Sequence, residues 1–444
     1  MASPKEHLLK AIELQPDFPD ARYQLARMYA RDDQIPEAID QLETLLHAHP
    51  DHTDAREFLA EVHLQHAQYG QAKQHLESIL ENDPRNPDAH YQLAKAALET
   101  NHPHDAVYHF EKVLQQDPDH LESYYQLALL HDSPEDFAKA RSYFETTIDF
   151  EPSHIGGHFH LGMHLRHGAR YNQTGSLTYG GYDEEARHEF EATLRLDPKH
   201  SGALAELGQI QAESGEKKGA LANLTKALDL DSSRVDIWLS VAKLQEGQEA
   251  FSTLKDALKI HPKHPTLHLR LAELAKLTQD PAVAKVHFLR TIDNAIEQVQ
   301  ELKEKANDHL TQNQFFLARK VEEEIGEFNT QRSEAHYNLA LFHAENEEFE
   351  EFRKHLDEGI LANAHHAGIL HQLAIDEARS DNNDLAIEHL RKSVEIEIQN
   401  PEAHFLLGKL LEKKGDIQMS QNHYLITLDL DPNNAEAKTR IIPT

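Results

Sequence analysis

The chain has 444 residues, with 76 acidic against 44 basic side chains and a formal net charge of -32. That balance tells against nucleic acid and anionic membrane surfaces as ligands, both of which reward positive charge. With no cysteine, there is no disulfide, thiolate nucleophile or thiolate metal ligand. Apolar runs are too short to span a bilayer, so direct membrane insertion is not expected.

In chain order, Lys5 to Pro16 reads as the second half of a repeat whose first half is missing. The expectation at this end is a native signal or anchor removed upstream. From there a phrase returns every 34 positions: Leu25-Ala26, Leu59-Ala60, Leu93-Ala94, Leu127-Ala128, then Leu161-Gly162 and Leu207-Gly208. It continues as Val241-Ala242, Leu271-Ala272, Leu339-Ala340, Leu373-Ala374 and Leu407-Gly408. Twelve residues after most of these stands a second small residue, such as Ala38, Ala72, Ala106, Ala140 and Ala386. A fixed period of this length predicts stacked units rather than one closed core.

Residues 87 to 120 show the unit plainly. Pro87-Asp88 suits a helix start, Tyr91, Leu93, Ala94, Ala97 and Leu98 follow at helical spacing, and Asn101-His102-Pro103 breaks the run. A second amphipathic segment through Ala106, Phe110, Val113 and Leu114 stops at Asp117-Pro118, since the residue before proline is disfavoured in a helix. Each unit is therefore a helical hairpin, with the small residues where its two helices approach.

The chain resembles the tetratricopeptide repeat family. Trp238, Val241, Ala242, Ala250, Leu254, Ala257 and Pro262 match its pattern within one unit, and prolines such as Pro16, Pro50, Pro84, Pro118 and Pro152 recur at unit ends. The resemblance spans about residues 5 to 442. It implies an all-α, right-handed superhelical solenoid of about 12 hairpins, plus the N-terminal half unit and a capping helix over Ala435 to Ile442.

Repeats begin near 19, 53, 87, 121, 155, 201, 235, 265, 299, 333, 367 and 401, and three depart from the pattern. The one from 155 carries about 12 extra residues around Arg170 to Gly181, read as a loop. The one from 235 is four residues short, in its inter-helix turn. The one from 299 keeps Ala306, Phe315 and Ala318 in phase, yet nothing between Ala282 and Leu310 is glycine or proline. That predicts one long helix over much of 282–310, and with it a division into blocks 1–298 and 299–444.

Mapping onto the repeat sorts 22 of the 34 histidines into positions 4, 11, 23 and 34 of their units, as structural choices. His160, His164 and His167 stand apart. Their spacing places them on one helical stripe, a candidate metal site beside Asp183 or Glu184. No HExxH motif accompanies them, and phosphate-loop, dinucleotide-loop and nucleophile-elbow motifs are absent. The reading is a non-enzymatic chain without a cofactor.

In the family, first helices line a concave groove, with positions 5 and 6 facing it. Carried over, these are Tyr23-Gln24, Tyr91-Gln92, Tyr125-Gln126, Phe159-His160, Tyr337-Asn338 and Phe405-Leu406, with Gln372 at position 6 of its own unit. Aromatic bodies and side-chain amides suit an extended peptide backbone. Tyr171 and Tyr179 of the insertion are further candidates. Position 2 is mostly acidic (Asp20, Asp54, Asp88, Glu122, Asp236, Glu334, Glu402), so the cationic clamp some family members use for acidic tails is missing. The expected function is a protein-interaction scaffold holding a neutral or basic segment. The alternatives are a metal- or cofactor-handling assembly factor and an arm presenting substrates to a separate enzyme. The expected location is cytoplasmic, or periplasmic if a signal has been removed.

Overall fold

A computed structural model describes residues 3–131, 136–172, 182–311 and 315–441, leaving aside the side chains of 167–172 and 315–316. These residues form 24 helices and no strand. The chain divides into two compact bodies, Met1–Glu216 and Lys217–Thr444. In the first, α1 (Pro4–Leu14) precedes five hairpins. They pair α2 (Pro19–Arg31) with α3 (Ile35–Ala48), α4 (Thr53–Gln65) with α5 (Tyr69–Asn82), and α6 (Pro87–Glu99) with α7 (Pro103–Gln116). The last two pair α8 (Leu121–Leu130) with α9 (Phe137–Phe150) and α10 (Ile155–Asn172) with α11 (Asp183–Leu196), and α12 (Ser201–Glu213) follows.

The second body opens with α13 (Lys217–Leu230), then α14 (Val235–Leu244) paired with α15 (Gly247–Ile260), and α16 (Pro265–Leu277). Two helices of 31 residues come next, α17 (Pro281–Thr311) and α18 (Phe315–Glu345), then α19 (Phe349–Ala362). It closes with α20 (Ala367–Arg379) against α21 (Asn383–Ile396), α22 (Pro401–Lys414) against α23 (Ile417–Leu430), and α24 (Ala435–Arg440).

The repeated small residues do what their spacing predicts. Ala26, Ala38, Ala72, Ala94, Ala106, Ala128 and Ala140 have no exposed surface. A Cβ on Gly162 would lie 2.8 Å from the Phe190 ring, and one on Gly408 would lie 2.8 Å from that of Tyr424. Alanine fills the space where most hairpins close, and at Gly162 and Gly408 an aromatic ring leaves no room even for a Cβ. Position 15 supplies the turn: Asp33, Ala67, Asn101, Gly215, Gln279, Glu347, Asp381 and Gly415 all have φ between 56° and 90°.

Two side-chain devices close the junctions between hairpins. In most units with a polar residue at position 4, its side chain donates to a backbone carbonyl six residues earlier, where the previous unit ends. Arg22 Nε reaches Pro16 O at 3.1 Å, Trp238 Nε1 reaches Ser232 O at 2.9 Å, and His268 Nε2 reaches Pro262 O at 2.9 Å. At five first helices the preceding histidine acts as N-cap. Nδ1 of His52, His120, His200 and His366 accepts from the backbone N–H three residues on, at 3.1 to 3.2 Å, and His154 does so at 2.7 Å. This meets one of the unpaired donors of a helix start.

The irregular repeats resolve as follows. The short repeat loses three residues from α14, which has 10 where α6 has 13, and one from the turn. α10 runs to Asn172, so Arg170, Tyr171 and Asn172 belong to helix backbone and the loop expected from Arg170 begins later. The Tyr171 side chain, Tyr179 and the remainder of the insertion lie outside the described residues, as does Ile442 beyond α24. The long helix expected over 282–310 is α17, and the 298/299 division drawn from sequence falls inside it. α18 is equally continuous, which the repeat phase at 333 did not foretell. Near halves of the two helices pack with α16 through Ala272, Ala275, Phe288, Ala335 and Leu339. Far halves pack on each other through Ala295, Val299, Leu302 and Ala306 against Val321, Ile325 and Phe328. The repeat from 299 is thus no separate hairpin but an extension of both neighbours.

Ala67 holds the left-handed turn position with φ 56°, a conformation that costs an L-residue about 1–2 kcal/mol. Replacing Ala67 with Gly removes that cost against a smaller loss of chain entropy, so urea unfolding is expected to shift toward higher denaturant by up to about 1 kcal/mol. A lower midpoint for Ala67→Gly would contradict this account of the turn.

Candidate partner-binding face

The position-5 rings lie half-buried at the seams between successive hairpins. Each meets the capping histidine of the next: Tyr23–His52 at 5.8 Å between ring centroids, Tyr91–His120 at 4.9 Å, Tyr125–His154 at 4.9 Å. Phe159–His200 at 4.5 Å and Tyr337–His366 at 5.1 Å repeat the contact. Burial raises the phenol pKa of Tyr23, Tyr91, Tyr125 and Tyr337 above the ordinary value. Glycine at position 2 of the following unit admits the ring at three seams: a Cβ on Gly156, Gly202 or Gly368 would come within 2.8, 2.9 or 3.0 Å of Tyr125, Phe159 or Tyr337. Phe405 packs on Tyr424 at 5.9 Å, beneath Lys409 at 5.3 Å. Lys95 likewise stands 5.6 Å from the centre of Tyr91.

The position-6 amides are nearer the surface. Gln24 is exposed, and Gln92, Gln126 and Gln372 are half-exposed. Gln126 Nε2 donates to Glu122 Oε1 at 2.7 Å, which leaves its carbonyl outward as an acceptor. Asn338 is buried, donating to Glu334 O and Oε1 at 3.0 and 2.9 Å and accepting from Lys276 Nζ at 2.9 Å. It therefore anchors its neighbours more than it faces a ligand. Asn338 and Lys276 stand at a cavity of about 410 Å³ in the second body, floored by Ala284, Phe288, Leu339 and Phe342.

In the first body a cavity of about 460 Å³ opens between α9, α10 and α11, lined by Glu145, Asp149, Glu184, Glu185 and Glu189 with Arg141. Below it Arg166, 3% exposed, grips Glu213 in a fork at 2.8 and 2.9 Å and Asp183 at 3.1 Å. Sequence reading missed this guanidinium, whose partners are 17 and 47 residues away. A buried arginine held by two carboxylates fixes the flanks of the insertion relative to α12.

The histidine stripe is placed differently from a bare metal site. His164 is 1% exposed, stacks on Phe137 at 4.2 Å and donates from Nε2 to Phe137 O at 2.9 Å. His160 lies among Tyr125, Phe144 and Phe159, at 5.9, 6.5 and 5.1 Å, and the His167 side chain is outside those described. The position-4 and position-23 histidines instead form pairs. His90–His109, His268–His287 and His404–His423 approach through Nδ1 at 2.9, 2.7 and 2.9 Å. A carbonyl can only accept, so His90 Nε2 carries the proton toward Pro84 O, and His109 Nδ1–H must then donate to His90 Nδ1. His158 instead donates from Nδ1 to the Glu189 carboxylate at 2.6 Å and from Nε2 to Pro152 O at 3.1 Å.

With this geometry, the repeat is recognised by family models. The tetratricopeptide repeat models match residues 7–40 and, in a second form, 91–155 and 184–235. A model of the anaphase-promoting complex, cyclosome, subunit 3, matches 33–113. The chain is a tetratricopeptide repeat protein, of a family that acts generally through protein–protein interaction. It is 40% identical over 81 residues to cellulose synthase operon protein C of Escherichia coli K12 and equally to its counterpart in the O157:H7 strain. The match covers 18% of this chain and spans 7% of those relatives' length.

Among solved structures, the C-terminal part of a repeat protein from Cytophaga hutchinsonii aligns at a TM-score of 0.45 and 16% identity, over 53% of this chain and 93% of that one. Yeast Tom70 aligns at 0.34 and 15%, over 88% and 94%. MamA aligns at 0.36 and 17%, over 41% and 94%. These scores carry no inference about arrangement or function. No described helix is long and apolar enough to cross a membrane.

Burial, then the neighbouring histidine, pushes His109 and His287 down to about 4, and burial also lowers His75, His355 and His423. These groups titrate near 6.5 once unfolded, so the unfolded chain takes up protons first as pH falls. Stability contributed by the pairs is complete above about pH 6.5 and is lost toward about pH 4. The urea midpoint is expected to be lower at pH 5 than at pH 7, and His109→Gln is expected to narrow that gap. Equal midpoints at the two pH values would count against neutral pairs.

Proposed function

We infer that this chain is a non-enzymatic scaffold that holds an extended, neutral or basic protein segment along the first helices of its hairpins. The observation that carries the reading is the repeated pairing of a seam-sealing ring with an outward amide, at Tyr23-Gln24, Tyr91-Gln92 and Tyr125-Gln126 within one body. The rings offer apolar edges at regular intervals, and an amide can both donate to and accept from a peptide backbone. Position-2 carboxylates Asp20, Asp54, Asp88 and Glu122 lie on the same helices and favour a cationic partner over an anionic one. The carboxylate-lined cavity beside α10 extends that preference. Phe159 extends this face within the first body, and Tyr337, Gln372 and Phe405 are the corresponding residues of the second in this reading; Tyr171 and Tyr179 are candidates from the sequence alone. A cytoplasmic or a periplasmic location fits an acidic chain without cysteine.

Panning a random peptide library against the full chain tests the proposal. Enriched peptides are expected to be neutral or basic, and Tyr91→Ala with Gln92→Ala is expected to weaken their binding about tenfold or more, the usual cost of losing an aromatic anchor. Enrichment of acidic peptides, or affinities indifferent to both substitutions, would overturn it.

A further inference from the structure

One histidine pair departs from the other three. His336 and His355, on α18 and α19, approach through Nδ1 at 3.0 Å like the rest, and both are buried. Here a carboxylate joins them: Glu358 Oε2 lies 3.5 Å from His336 Nδ1 and 4.0 Å from His355 Nδ1. The corresponding residue beside the other pairs is Lys112, Arg290 or Ile426, none of which supplies an anionic oxygen. Among the described residues, this is the group of three whose ligand atoms lie within 4.8 Å of one another.

The second departure is at the far side of the ring. Elsewhere Nε2 of the position-4 histidine donates to a carbonyl six residues back, but here that residue is Thr330, inside the continuous α18, where its carbonyl belongs to the helix ladder. His336 Nε2 accordingly has no hydrogen-bond partner. The repeat has lost the carbonyl that fixes the proton elsewhere and has acquired a carboxylate at the facing nitrogens.

The geometry points to a divalent metal site at His336, His355 and Glu358, of the class that imidazole and carboxylate ligands hold, zinc above all. Three atoms spaced 3.0, 3.5 and 4.0 Å lie on a circle of about 2.1 Å radius, so shifts of a few tenths of an ångström bring all three within a zinc–imidazole or zinc–carboxylate bond length of an ion just above their plane. Glu358 is 42% exposed at its side chain, so the ion enters, and a water completes a tetrahedron, from that side. The Nδ1–Nδ1 hydrogen bond needs a proton on one of the two nitrogens, and both ligate once that ring takes the tautomer with its proton on Nε2. The surrounding charges are mixed: Arg332 and Lys354 repel a cation, and Glu351 with Glu358 attracts it. His343 shields the site, its ring stacked on His355 at 5.3 Å while its Nδ1 engages Glu348.

The test uses the full chain purified without an affinity metal, stripped with chelator and titrated with zinc against a chromophoric competitor. One tight equivalent is expected, with cobalt in its place giving the visible bands of a tetrahedral site. Glu358→Gln and His336→Ala are each expected to weaken it about 10- to 100-fold, whereas His90→Ala, in a pair without the carboxylate, leaves it unchanged. Glu358→Gln replaces a partly exposed side chain, so unaltered far-ultraviolet dichroism shows that the loss is not unfolding. Absence of a tight equivalent in the wild-type chain, or one that survives both substitutions, would overturn the site.

Discussion

Everything in this structure rests on the close crossing of two helices at paired small residues. Where Ala94 meets Ala106 and Ala128 meets Ala140, no surface remains, and at Gly162 the Phe190 ring occupies the space a single methyl would need. That crossing fixes the register of an antiparallel hairpin. Once positions 8 and 20 touch, position 4, one turn earlier, faces position 23, one turn later. The histidine pairs, the Arg22–Gln41 contact at 2.9 Å and the His158–Glu189 contact at 2.6 Å are all consequences of the same register. So are the seams: the next hairpin's capping histidine arrives against the ring at position 5.

This explains what a chain so rich in histidine does with many of them. One ring nitrogen closes a junction, the other meets its partner across the hairpin, and the capping set satisfies helix starts. The histidine pairs and the caps need a neutral imidazole, with the proton on a specified nitrogen, whereas His158 faces an acceptor from each nitrogen. The exception at His336 arises because α18 runs through the place where a junction would otherwise be. A change in backbone continuity thereby alters the chemistry of a side chain six residues on.

Much of this was legible in the sequence. The period gave the hairpins, and the missing glycine or proline between Ala282 and Leu310 gave α17. The short repeat was visible too, but the turn was the wrong place for its loss: three of the four residues are missing from α14 itself. Other features left no such mark. α18 continues past Gly326, a residue that ordinarily weakens a helix, because Val321, Ile325 and Phe328 pack on the far half of α17. Ala67, Gln279 and Glu347 hold left-handed turns that their side chains disfavour, imposed by the hairpins on either side. Histidine is an uncommon cap, so its role at His52 or His366 shows only in the distance to the amide. The Arg166 fork depends on partners brought in from two later helices. At the candidate face, sequence picked out the rings and amides, while the structure showed the rings also sealing seams and Asn338 turned inward.

The proposed face lies on the first helices, with the second helices on the other side of each hairpin. The account stands on the partner lying along α4, α6 and α8 rather than against α7 and α9. Photo-cross-linking with a library-selected peptide bearing a benzophenone, followed by mass spectrometric mapping, measures this directly. Adducts within α6 and α8 around Gln92 and Gln126 are predicted. Adducts confined to the exposed second-helix residues Tyr108 and Phe150 would contradict it.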